Sequence, residues 1–102
     1  LALAAALFCC AGGCGPIQSG LAISETEAAL KQADAADAAR LAPYHRERAA
    51  EFLHHAKLKR GYSEFEAAME FASLARKSAD EATALAKQRS GAKPAAQSPV
   101  RR

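Results

Sequence analysis

From Ile17 onward the apolar positions recur at steps of three and four, the spacing that places them on one face of a helix. Leu21, Ala22, Ala29, Leu30, Ala33 and Ala36 form the first such stripe. It predicts a helix that starts near Ser19 or Gly20 and fades over Asp37 to Arg40. A second helix is predicted from Pro43, whose missing N–H suits a first turn, through Ala49, Phe52, Leu53 and Ala56. Lys57, Lys59 and Arg60 complement the negative end of its dipole, and Gly61 is expected to stop it in the left-handed conformation. Ser63-Glu64-Phe65-Glu66 reads as a capping box: the Ser63 hydroxyl accepts from the Glu66 N–H while the Glu66 carboxylate reaches back. The third helix that follows carries Phe65, Ala68, Ala72, Ala75, Ala79, Ala82 and Ala86, a heptad seam made almost wholly of alanine.

Small seam residues let helix backbones approach closely. The predicted fold is therefore all-α, an antiparallel hairpin of the second and third helices joined at Gly61-Tyr62, or a three-helix bundle with the first helix alongside. Met69, Phe71, Leu74 and Leu85 flank the seam and are expected to pack on the first helix or on a partner. Alanine buries little area, so a monomer gains little from such a core. Homo-oligomerisation or partner binding is expected along the side marked by Phe52, Phe71 and Leu85. The segments "AAEFLHHAK" (49–57) and "AMEFASLAR" (68–76) align with one another, too closely spaced for a helix-pair repeat, and read as shared packing grammar.

The start of the chain follows a different rule. Residues 1–14, "LALAAALFCCAGGC", carry no charge and are too short an apolar run to span a bilayer, which needs about 20 residues. The pattern is that of a secretory signal, expected to be truncated at its start because no Met or basic segment precedes Leu1. Small residues before Cys14 resemble the lipobox of bacterial lipoproteins, in which the Cys is acylated and becomes the first residue after cleavage. Cys10 follows Cys9, and Cys9 follows the bulky Phe8, so Cys14 alone matches the lipidation position. Ala11 departs from the Leu common at the third position before it, which leaves ordinary signal cleavage after Gly13 as the alternative. The resemblance implies a membrane tether through Cys14, and Gly15 rather than Asp after it implies the outer membrane, facing the periplasm. The expected organisation is a signal segment at 1–13, a helical domain at 14–88 and a disordered basic tail at 89–102.

Two further likenesses concern the helical part. "GYSEFEAAMEFASLARKSADEA" (61–82) is similar to the second half of a tetratricopeptide-type helix pair, with Gly61 at the turn and Ala68 and Ala75 at close-packing positions. The lipobox followed by "APYHRERAAEFLHHAK" and that stretch resembles a family of small Ala-rich lipoproteins of the Gram-negative envelope, a domain of unknown function that in some members precedes an OmpA-like peptidoglycan-binding domain. The resemblance implies an envelope protein or peptidoglycan as partner.

Charge and chemistry narrow the function classes. Of the fourteen bases, five (Lys87, Arg89, Lys93, Arg101 and Arg102) lie after residue 86 with no acid among them; nine bases and all eleven acids lie before. A basic tail can contact anionic lipid or cell-wall groups over a Debye length of about 8 Å. Nucleic acid is not an expected partner of an exported chain. His54 and His55 are adjacent and diverge by about 100° on a helix, and His45 lies more than two turns away, so no shared metal site is expected. No turn exposes a nucleophile and no Gly-rich phosphate loop is present. The sequence predicts no enzyme and no cofactor, but a lipid-anchored structural or adaptor module. The alternative is a soluble periplasmic helical protein that binds a ligand or client.

Overall fold

The computed structural model describes the backbone of residues 14–100 and the side chains of residues 15–91. These form an all-α bundle of four helices: α1 (Cys14–Ala35), the short α2 (Ala38–Leu41), α3 (Pro43–Gly61) and α4 (Phe65–Val100). No strand occurs among the described residues. The helix α3 runs antiparallel to α1 and α4, which are parallel to one another; α2 closes the end where α1 turns into α3.

The alanine seam of α4 is buried as the spacing predicts. Ala68, Ala72, Ala75, Ala79, Ala82 and Ala86 are each at most 1% exposed. Twelve of the fifteen buried hydrophobic residues are alanine, so the core is a set of close helix approaches rather than a mass of large side chains. It is built in layers. Ile23, Leu53, Ala56, Ala72 and Ala75 pack at the end nearer Cys14, and Ala33, Ala38, Leu41, Ala42, Ala82 and Ala86 at the far end. Between them Ala29, Ala49 and Ala79, one from each long helix, form a waist.

The stripe of α1 differs from expectation. Leu21 faces solvent, and the buried positions are Ser19, Ile23, Thr26, Ala29 and Ala33. Two polar residues are tolerated inside because each is hydrogen-bonded. Ser19 Oγ donates to the Pro16 carbonyl at 3.1 Å and accepts from Arg60 Nε at 3.2 Å. Thr26 Oγ1 lies 2.8 Å from the Ala22 carbonyl of its own helix and 3.0 Å from the Ala72 carbonyl of α4, so its proton is shared between two helices. A hydroxyl this short reaches a neighbouring backbone only where the neighbour shows alanine. The helix also begins at Cys14, earlier than Ser19, because Pro16 falls in the first turn, where no intrahelical N–H is needed. Gly15 permits close approach there: a Cβ would stand 3.3 Å from the Phe65 ring.

Both joints use a non-glycine residue in the left-handed region. At the first, Asp37 has φ 65°, and its carbonyl accepts from Leu41 N at 2.9 Å. At the second, Ser63 has φ 61°, its N–H donates to the Arg60 carbonyl at 3.0 Å, and the Glu64 N–H donates to the Lys59 carbonyl at 2.9 Å. This pair of bonds is the Schellman pattern, with Ser63 where glycine is usual. The expectation at Gly61 is therefore corrected: it is the last residue of α3 and has no positive φ, because the chain reverses two residues later. The capping box is corrected for the same reason. Ser63 is spent on ending α3, Glu64 accepts the first bond of α4 from Ala68 N at 2.9 Å, and no hydrogen bond joins the Ser63 side chain to Glu66 among the described residues. Glu66 instead lies in the first turn of α4, where a carboxylate suits the positive end of the dipole.

Past residue 88, the expected end of the helical domain, the α4 backbone stays helical to Val100, although Pro94 and Pro99 bring no N–H to it. Arg89, expected in a disordered tail, donates through Nη1 to the Leu41 carbonyl at the end of α2. Residues 1–13 and 101–102 lie outside the described residues, and with them the signal segment.

Ion pairs fix which helix edges meet. Arg46 of α3 holds Asp34 of α1 through two bonds, at 2.9 and 3.2 Å, and Lys57 meets Glu27 at 2.8 Å. Arg76 of α4 reaches Glu25 of α1 at 3.2 Å. The Asp34 hydrogen bond, foremost, raises the Arg46 pKa above its ordinary value against the opposing effect of burial.

Two sets of substitutions test this packing. Ser63→Gly relieves a left-handed L-residue and is expected to stabilise the fold by about 1 kcal/mol. Gly61→Ala, with open space at the Cβ, is expected to add about 0.5–1 kcal/mol; a left-handed Gly61 predicts the opposite sign, and urea midpoints decide. In the core, Thr26→Val is expected to cost about 1 kcal/mol for its lost bond, and Ala79→Leu about 1–3 kcal/mol or more by overpacking the waist. A neutral Ala79→Leu in urea denaturation contradicts the close approach.

Candidate functional site

Cys14, the residue matched to lipidation, is the first residue of α1. Cys9 and Cys10 lie outside the described residues. The start of the helix that Cys14 heads is held by the last turn of α3. Arg60, at the close of α3, donates to the Pro16 carbonyl through Nη2 at 3.2 Å and to Ser19 through Nε.

Of the three residues expected on a partner side, the fold brings two together. Phe52 of α3 and Phe71 of α4 have ring centroids 6.2 Å apart at 34°, and both are half-buried. They are the matching phenylalanines of the two aligned segments and lie at similar distances from the Tyr62 joint, so the antiparallel turn stacks one on the other. Leu85 is not part of this cluster. Fourteen residues beyond Phe71, it stands about 21 Å further along α4 and packs on the Ala38–Ala42 end of the core.

Other residues complete the cluster instead. His55 lies against Phe71 at 5.3 Å, and the Arg48 guanidinium stands 5.4 Å from the Phe52 ring and 5.9 Å from the Tyr44 ring. Arg48 Nη1 also donates to the Tyr44 hydroxyl at 2.9 Å. Tyr44, Arg48 and Phe52 are one turn apart in sequence, and this i, i+4 ladder is the signal that could have found them. Together these residues form an aromatic strip that carries the Arg48 guanidinium along the α3–α4 edge. Such a strip offers rigid contact area and a guanidinium donor, which suits binding rather than catalysis.

Several acidic and basic groups elsewhere are paired between helices. A groove of about 520 Å³ between α1 and α3 is floored by Leu30 and Leu53, and its carboxylates, Glu27 and Asp34, are held by Lys57 and Arg46. His45 Nδ1 is buried without a hydrogen bond, and the nearest carboxylate oxygen, Glu81 Oε1, is 3.7 Å away. His54 and His55 diverge, with ring centroids 6.0 Å apart. Among the described residues no group of three His, Cys, Asp or Glu side chains is arranged to hold a metal ion. None of the described helices is long and apolar enough to cross a membrane.

Comparison with known protein families, curated proteins and solved structures finds no match to this chain.

Proposed function

We propose that this chain is a non-enzymatic protein of the bacterial envelope, anchored by acylation of Cys14 and presenting its helical bundle to a protein or cell-wall partner. The observation that carries the reading is the order of its parts: an uncharged apolar run, then Ala11-Gly12-Gly13, then Cys14 at the head of α1. On this reading it groups with the small Ala-rich envelope lipoproteins it resembles, and the outer membrane, facing the periplasm, is its site. The aromatic strip of Tyr44, Arg48, Phe52 and Phe71 supplies the binding surface of the adaptor. Carboxylates held in interhelical ion pairs support a structural use of charge over a catalytic one.

A second reading has one observation in its favour. The α1–α3 groove, with Leu30 and Leu53 beneath a charged rim, could take an extended ligand or client segment in a soluble periplasmic protein cleaved after Gly13.

Labelling with radioactive palmitate separates the two. Wild type is expected to incorporate label and Cys14→Ala to lose it, with wild type retained in membranes through a carbonate wash until detergent is added. Absence of label in both, with release by carbonate, removes the anchor and leaves the soluble reading.

A further inference from the structure

We infer that the end of the bundle carrying Cys14 is a membrane-contact surface, on which Ile17 and Leu21 of α1, with Leu58 and Tyr62 at the end of α3, enter the headgroup region of a phospholipid bilayer. The inference deepens the lipid-anchor reading and rests on it for the nearness of a membrane; the patch itself is a property of the fold.

The described residues include six exposed large hydrophobic side chains, and four of them gather at this end: Ile17 is 72% exposed, Leu21 59%, Leu58 44% and Tyr62 74%. The contacts of Arg60 with Pro16 and Ser19, and of Gly15 with Phe65, hold the start of α1 against the end of α3 and the start of α4. Ile17 and Leu21 each lie two residues from the buried Ser19, about 200° round the helix, so both point away from the core. They are not core residues left uncovered by a missing neighbour: Ile23 and Thr26 already fill the inward face.

Charge favours a lipid phase over a protein groove as the occupant. The first charged residue of α1 is Glu25, so eleven residues from Cys14 to Ser24, about 16 Å of helix, are uncharged. Of the bases nearby, Lys57 is paired with Glu27 at 2.8 Å and Lys59 with Glu64 at 3.1 Å, while Arg60 is engaged with Ser19 and the Pro16 carbonyl and is the one that faces an anionic headgroup without a carboxylate partner among the described residues. The four exposed side chains are divided between two helices, and a soft planar phase accepts such a spread without matched pockets. Tyr62 adds an aromatic ring with a polar tip, the side-chain type suited to a membrane–water boundary.

Distance supports the same occupant. An acyl group on Cys14 leaves no linker before α1, so Ile17 stands about 4.5 Å and Leu21 about 10 Å along the helix from the anchored residue.

The test places the photo-crosslinking amino acid benzoylphenylalanine at position 17, 21 or 44 of the full chain in cells of a Gram-negative host. Tyr44 is the control, an exposed aromatic position about 27 Å away along α3. All three side chains face solvent, and thermal melting of the purified variants checks that each folds. Lipid adducts at 17 and 21 severalfold above those at 44 are expected. Protein adducts at 17 and 21, to a second copy or another chain, or lipid adducts no more frequent than at 44, overturn the inference. Intact mass of the same purified chains reports acylation of Cys14 separately. An acylated chain without lipid adducts at 17 and 21 sinks the contact surface alone; lipid adducts on an unacylated chain sink the anchor alone.

Discussion

The contact of Ala29, Ala49 and Ala79 at the waist constrains the rest of the bundle. With a methyl group from each helix at its centre and Leu30 packed against it from the side, three backbones are drawn closely together. Close backbones bring short polar groups within reach of neighbouring carbonyls, which is why Thr26 can join α1 to α4 from inside the core. Close backbones also bring long charged side chains at the helix edges into register, as Arg46 with Asp34 and Lys57 with Glu27. An alanine seam gains little from burial per residue, so this directional bonding supplies what hydrophobic area does not.

The same thin core accounts for what lies outside. Few large apolar side chains are buried, and several stand at the edges instead: Phe52 against Phe71 on the α3–α4 edge, Ile17 and Leu21 on the outer wall of α1. A protein built this way has its aromatic and aliphatic surface available for contacts with others. Tyr44 stands about 27 Å along α3 from Tyr62, so that end of the strip is well separated from the end that carries Cys14.

Much of this was legible in the chain and some was not. The seam from Ala68 to Ala86 could be read because a sustained three-and-four spacing has few other meanings, and Pro43 marked a helix start by the chemistry of its ring. Ser19 and Thr26 could not be placed inside by hydropathy, since their burial depends on partners from residues 41 and 46 positions away. Gly61 drew the turn to itself because glycine is the usual left-handed residue, whereas Ser63 takes that conformation under two backbone hydrogen bonds. The sequence puts Phe52, Phe71 and Leu85 on one side; the fold brings the two phenylalanines together and sets Leu85 at another height along α4, while Tyr44 and Arg48 went unseen because charged and aromatic residues at one-turn spacing read as solvated.

The parallel course of α1 and α4 has a mechanical side. With Cys14 at one end of the bundle and α4 leaving at the other, tension between the two ends pulls α1 lengthwise past its neighbours. The contacts at Ser19, Thr26, Glu27 and Asp34 then share the load together, as in a lap joint, rather than opening one after another like a zip. A bundle of modest thermodynamic stability is in this way arranged to resist force along its long axis better than force across it.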